Sequence, residues 1–336
     1  MASNPSDLVD GFGRVHRDLR ISVTDRCNFR CSYCMPAEGM EWLPREDLLS
    51  YEELARVARI CVERFGFDGI RLTGGEPTVR AHLPVLIEKL SKLDVDLSLT
   101  TNGTSLPLLA DQLVAAGLQR INISCDSLRA DRFEQITRRD ELPKVLAGID
   151  AALAAGLGPV KLNVVVMRGV NDDEIVDFAT FGRDKGISVR FIEFMPLDAQ
   201  GEWTNEQVVT QDEIVATINS VYPLEVVAGR GSAPAERWRY LDRESGSAGS
   251  DVGVIASVTH SFCDSCDRVR LTAEGMLRHC LFATRELDLR AMLRADATDD
   301  ELAAAITAEV GAKWAGHQIN QVHFIRPARS MSQIGG

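Results

Sequence analysis

Six of the eight cysteines in this 336-residue chain fall into two tight groups of three: Cys27, Cys31 and Cys34, then Cys263, Cys266 and Cys280. Cys61 and Cys125 stand apart. Thiolates are soft ligands suited to iron–sulfur clusters or zinc, and clustered cysteines in a reducing compartment more often hold metal than form disulfides. A closed structural zinc or cluster site takes four protein ligands. Three per group leaves one position open, and on a four-iron cluster that iron is free to bind something else. Zinc stays open as an alternative, above all at the second group, where His279 or His260 could complete it.

The second group has the spacing Cys-x2-Cys-x13-Cys, with the turn Ala273-Glu274-Gly275 near the midpoint between Cys266 and Cys280. A hairpin folded there brings these two cysteines together. Arg268 and Arg270 follow Cys266 with period two, so a strand starting at Cys266 puts all three on one face. Two guanidiniums beside a metal centre make an oxyanion clamp; the plainer reading is an arginine pair on a solvated strand. In the first half, Gly74-Gly75-Glu76-Pro77 combines glycines that let backbone approach a ligand with a carboxylate able to accept from an ammonium group.

The elements that must position these residues repeat from Leu19 to Phe194: a β-branched run, a polar loop, an amphipathic helix and a glycine. Strands are expected at Leu19–Thr24, Gly69–Thr73, Asp96–Thr101, Arg120–Ser124, Lys161–Met167 and Ser188–Phe194. Helices are expected at Tyr51–Phe65, Leu106–Ala116, Leu142–Ala155 and Asp172–Lys185, the last three closed by Gly117, Gly156 and Gly186. Six βα units imply an α/β fold with a parallel sheet, doubly wound or curled toward a barrel. Polar residues follow the strand ends in phase (Asp25 and Cys27, the GGEP turn, Asn102, Ser124 and Asp126, Glu193 and Met195), which favours one shared active face. After Met195 the repeat stops. Residues 229–234 read as a loop or linker. Short strands follow at Trp238–Leu241 and Gly253–Val258, then the hairpin from Arg268 to Cys280 and a helix over Thr298–Trp314. The expected division is a barrel domain over residues 13–228 and a smaller C-terminal lobe over 236–336 that closes its open side.

Hydrophobic residues make up 45% of the chain and charged residues 26%, the composition of a globular protein. A net charge of −12 argues against a general nucleic-acid or anionic-membrane surface. It does not exclude a phosphate-bearing substrate, because a few convergent arginines outweigh global charge inside a cleft. No apolar leader is visible, and the most apolar stretch, Val145 to Met167, is broken by Asp150, by residues 156–159 and by Lys161. A cytoplasmic protein without membrane association is expected.

Cys-x3-Cys-x2-Cys with Tyr33 before the third cysteine, followed by GGEP at the end of the next strand, resembles the radical S-adenosylmethionine (SAM) superfamily. With the C-terminal triad, the Arg-x-Arg pair and the terminal Gly335-Gly336, the resemblance narrows to the GTP 3′,8-cyclase family of molybdenum-cofactor biosynthesis and covers about Arg17 to Gly336. It implies a partial (β/α)6 TIM-like barrel, two 4Fe–4S clusters and SAM. Cys27, Cys31 and Cys34 then hold the SAM-cleaving cluster; Tyr33, Gly75, Ser124 and Met195 contact SAM; and Cys263, Cys266 and Cys280 hold the second cluster, which meets the guanine. Arg20, Arg71, Thr100, Lys161, Arg268 and Arg270 match substrate-binding positions, Arg190 being a further candidate. Gly335-Gly336 could thread into a confined site, or fray as chain ends do. The implied reaction abstracts the 3′ hydrogen of GTP and joins C3′ to guanine C8. Implied partners are an electron-donor protein, the downstream cyclic pyranopterin monophosphate synthase and a second copy of the chain. Cys61 and Cys125 have no role under this resemblance. A peptide-maturing radical SAM enzyme and a non-enzymatic iron–sulfur or zinc module are the competing readings.

Overall fold

A computed structural model describes residues 6–198, 200–319, 321 and 324–335. Six βα units run from β1 (Asp18–Ser22) through α1 (Tyr51–Phe65), β2 (Gly69–Thr73), α2 (Leu83–Ser91), β3 (Asp96–Thr101), α3 (Leu106–Ala115) and β4 (Arg120–Ser124). They continue through α4 (Ala130–Thr137), α5 (Leu142–Ala154), β5 (Val160–Val166), α6 (Ile175–Lys185) and β6 (Ser188–Glu193). Helix starts and stops follow local chemistry. Ser50 and Glu53 form a capping box on α1, and Gly66 ends it with a left-handed φ of 68°. Gly117, Gly156 and Gly186 also take positive φ where glycine was expected to close the helix.

The C-terminal part adds α7 (Gln211–Asn219), β7 (Leu224–Val227), β8 (Glu236–Tyr240), β9 (Asp251–Ile255), β10 (Arg268–Leu271), β11 (Met276–Arg278), β12 (Leu287–Asp288), α8 (Leu289–Arg294), α9 (Asp299–Gly311) and α10 (Met331–Ile334). All twelve strands lie in one sheet, ordered β12-β11-β10-β1-β2-β3-β4-β5-β6-β9-β8-β7. β10 runs parallel to β1 and β9 parallel to β6, with antiparallel hairpins outside them. The C-terminal region therefore extends both edges of the βα sheet. Residues 229–234 connect β7 to β8 within an antiparallel hairpin, so they act as a loop.

The strands alternate, although a parallel sheet covered on both faces reads as continuous apolar runs. Leu19, Ile21, Ile70, Leu72, Leu97, Leu99, Ile121, Ile123, Leu162 and Val164 are fully buried in one large apolar cluster with α1, α2, α3 and α5. The opposite positions are polar and line an internal cavity. Register carries them side by side: Arg270, Arg20 and Arg71 are neighbours across β10, β1 and β2, and Thr100, Asn122, Lys161 and Ser188 across β3 to β6. Among the described residues no helix is long and apolar enough to cross a membrane.

Candidate active site

Cys27, Cys31 and Cys34 sit on the loop after β1. Two structures brace it. The end of α4 accepts the loop's backbone, Arg30 N to Thr137 O at 3.0 Å and Ser32 N to Ile136 O at 2.8 Å. Arg138 donates to the carbonyls of Arg30 (2.8 Å) and Met35 (3.0 Å). Gly75 packs against the same loop: a Cβ there would lie 2.4 Å from Arg26 O and 2.5 Å from Asp25 O, so only glycine fits. The approach that glycine permits is thus to the chain's own backbone.

The acidic residues at the strand ends turn out to be braces. Asp25, Glu76, Asp126 and Glu193 are all buried. Glu76 accepts from Thr78 N (3.0 Å), Thr78 Oγ1 (2.6 Å), Thr101 Oγ1 (2.7 Å) and Asn102 N (2.6 Å). Three of these bonds fall on Oε1 and one on Oε2, so the carboxylate expected to meet an ammonium group is already held by the chain itself. Asp126 accepts from Tyr33 OH (2.6 Å) and Val165 N (2.8 Å), and Asp25 from Leu43 N (2.6 Å). Glu193 accepts from Gln211 N (3.0 Å) and from Val258 N and Thr259 N (both 2.8 Å), tying β6 to the segment that leads to Cys263. Irregular loops leave backbone N–H groups without partners, and a buried carboxylate collects several of them.

The first triad lines a cavity of about 180 Å³ together with Tyr33, Gly75 and Ser124. Beside it lies a chamber of about 920 Å³ lined by Arg20, Arg71, Lys161, Arg190, Arg268 and Arg270, with Met195 on its wall. Thr100, Asn163, Ile192 and Met331 belong to both walls, so the two spaces adjoin. Phe262, Arg268 and Leu281 bring the second triad's flanks to the large chamber. Met195 lies on the chamber's wall, and the other three expected SAM contacts line the small cavity that adjoins it.

Electrostatics single out Cys266, since Cys280 is raised by burial as the first triad's thiols are. Burial pushes the Cys27 thiol up to about 12 and Cys34 up to about 11, and Cys31 well above the ordinary thiol range with Asp126 adding to the effect. Burial also raises Cys266, but Arg268 and Lys313 overcome it and bring this thiol down to about 7. In the chamber, Arg20 Nε and Nη2, Arg190 Nη1 and Arg268 Nη2 are buried without a hydrogen-bond acceptor among the described residues. Unpaired buried donors are costly, and several around one space call for an anionic ligand. Lys161 is pushed down to about 8 by burial and by Arg190, Arg120 and Arg71.

Near the C-terminus Gly335 meets one residue of the chamber's wall: its carbonyl accepts from Arg270 Nη1 at 2.6 Å. A Cβ on Gly335 would lie 2.5 Å from Thr73 Oγ1. Gly336 lies outside the described residues. Cys61 and Cys125 are buried in the apolar core. His279 directs Nδ1 to Glu309 (2.7 Å), and the exposed His260 lies 3.8 Å from Asp212.

Residues 21–182 match the family model of the radical SAM superfamily, and residues 187–319 match that of Molybdenum Cofactor Synthesis C. A GTP 3′,8-cyclase of Mycolicibacterium smegmatis is 49% identical over 99% of this chain and 93% of its own length. The chain belongs to the GTP 3′,8-cyclase family. Another member, from Streptomyces coelicolor, is 48% identical over 98% of this chain and 96% of its own. Streptococcus suis SuiB shares the fold at 11% identity, with a TM-score of 0.58 over 88% of this chain and 69% of that one. As a radical SAM protein, this GTP 3′,8-cyclase family member binds SAM and an iron–sulfur cluster. The first triad fits that cluster: three soft thiols on a braced loop open onto a cavity walled by Gly74 and Gly75.

Several chamber residues escaped the sequence reading. Arg120 and Asn122 line it, four and two positions before Ser124 on one strand face, so period two counted back from Ser124 would have found them. Met331, which also lines it, carried no such signal, and neither did Lys313, which lies outside the chamber against Cys266; both arrive from distant parts of the chain.

Proposed function

We propose that this chain converts GTP to (8S)-3′,8-cyclo-7,8-dihydroguanosine 5′-triphosphate, the first step of molybdenum cofactor biosynthesis. The observation that carries the reading is the chamber of guanidiniums with unpaired N–H donors joined to the first cysteine triad, in a chain half identical to GTP 3′,8-cyclases over nearly its whole length. A cluster on Cys27, Cys31 and Cys34, with SAM, supplies the 5′-deoxyadenosyl radical that abstracts the ribose 3′ hydrogen. Tyr33, Gly75, Ser124 and Met195 contact SAM. Arg20, Arg71, Thr100, Lys161, Arg268 and Arg270 bind the nucleotide, the cations neutralising the triphosphate. Cys263, Cys266 and Cys280 hold a second 4Fe–4S cluster beside the base. The Gly335 carbonyl on Arg270 helps to aim that guanidinium, and Gly336 extends the same tail.

The domain division at residues 13–228 and 236–336, a cytoplasmic location, an electron-donor protein, hand-over to cyclic pyranopterin monophosphate synthase and a homodimer complete the reading. Anaerobic reconstitution tests it: about eight irons per chain and release of 5′-deoxyadenosine that requires GTP are expected. Zinc in place of iron, or release that requires a peptide, overturns it.

A further inference from the structure

Lys313 follows α9 and is 4% exposed. Its Nζ lies 2.9 Å from Arg268 O, 3.4 Å from Cys266 O and 3.4 Å from Cys266 Sγ. Among the described residues it makes no ion pair with a carboxylate. The nearby acids are committed elsewhere: Asp10 takes Arg14 Nε (2.6 Å) and His16 Nε2 (3.1 Å), and Glu309 takes His279 Nδ1 (2.7 Å). Arg14 in turn clamps the same region, donating to the carbonyls of Cys263 (2.8 Å) and Ala315 (2.7 Å). A buried ammonium without an anion is strongly disfavoured, so the second triad is the anionic partner its position calls for. At the first triad the nearby cations reach backbone and not sulfur: Arg30 donates to the Cys27 carbonyl (2.7 Å) and Arg138 to the carbonyls of Arg30 and Met35. Buried Glu76 and Asp126 share that triad's cavity wall, with hydroxyl and amide donors as their partners.

We propose that Lys313 is a positioning residue whose charge raises the reduction potential of a cluster on Cys263, Cys266 and Cys280 above that of the cluster on Cys27, Cys31 and Cys34. The inference rests on the second-cluster reading given under the proposed function. Reduction adds one electron from a low-potential donor to the oxidised cluster, with no bond made or broken, so the reduced state is more negative by one charge. A fixed positive charge at hydrogen-bond range of a ligating sulfur stabilises that state more than the oxidised one. The centre beside the nucleotide then takes an electron more readily than the centre beside SAM.

The test is an anaerobic redox titration of the full chain, followed by the electron paramagnetic resonance of each cluster, with dithionite as reductant. In Lys313→Met the reduced-to-oxidised ratio of the second cluster at fixed potential should fall about tenfold, about 59 mV for a one-electron couple. The first cluster should not move, and Lys313→Arg should keep the native value. An unchanged second potential in a fully loaded Met variant overturns the inference, as does an equal shift in the Arg variant. Should Lys313→Met lose the second cluster, retention at native potential by Lys313→Arg supports the charge requirement, and loss in both overturns it. Wild-type protein with only about four irons per chain would instead defeat the second-cluster reading itself.

Discussion

Lys161 shows how one chamber residue couples binding to pH. Burial and three arginines bring its ammonium down to about 8 from an ordinary value of 10.5. A bound triphosphate favours the charged form, so binding takes up a proton once the free side chain has begun to lose its own. GTP affinity should therefore fall, by about tenfold for each pH unit above roughly 8, while Lys161→Arg should remain flat over that range. Calorimetric titration of GTP binding between neutral and alkaline pH checks this; a parallel fall in the Arg variant would remove Lys161 as the cause. The sign for folding is opposite. A lowered folded-state value destabilises the charged form, so the free protein should gain stability as pH rises from about 8 towards 10.5. The lysine was a candidate through the family resemblance, but its shift was not legible, because Arg71, Arg120 and Arg190 come from three other strands.

At the scale of elements, two glycines make close contacts that no larger residue tolerates. Gly75→Ala would drive a Cβ into the backbone of residues 25 and 26, which carry the first triad. Loss of about half the bound iron, with the second cluster retained, is the expected result of an iron assay on the reconstituted variant. Gly335 has φ 85° and meets Thr73 and Ser22, so alanine there costs about 1–3 kcal/mol in backbone strain before any contact is counted. Gly335→Ala should lower cyclised product at least about tenfold while cluster content stays at the wild-type level. Product formation at the wild-type rate would make the tail a frayed end. Helix α1 and strands β2, β3 and β4 lie at the residues their patterns predict. The helix expected at Asp172 starts instead as a single 3-10 turn over Asp172–Glu174 before α6 begins. Glu174 is buried there under Ser127 and Leu128, a tertiary demand that helical periodicity does not encode.

For the whole molecule, the consequential fact is that both edges of the βα sheet are finished by the C-terminal region. β10 pairs with β1 and β9 with β6, so a chain ending at residue 228 would leave two parallel strands with unpaired edges. Such a fragment should aggregate or melt without cooperativity, as seen by light scattering and circular dichroism. A monomeric, cooperatively folding fragment would show that the two regions are separable. The sequence alone determined the βα repeat, the glycine stops, the two cysteine triads and the Arg268 and Arg270 pair, because each depends on periodicity or spacing within a short stretch; Arg20, Arg71 and Lys161 were named only by resemblance to the family. Tertiary structure alone decided that the strand-end carboxylates brace loops, that the tail reaches Arg270, and that Lys313 lies against Cys266. Those outcomes depend on which distant segments pair across the sheet, and a buried charge or orphan N–H takes whatever partner that pairing brings within about 3 Å.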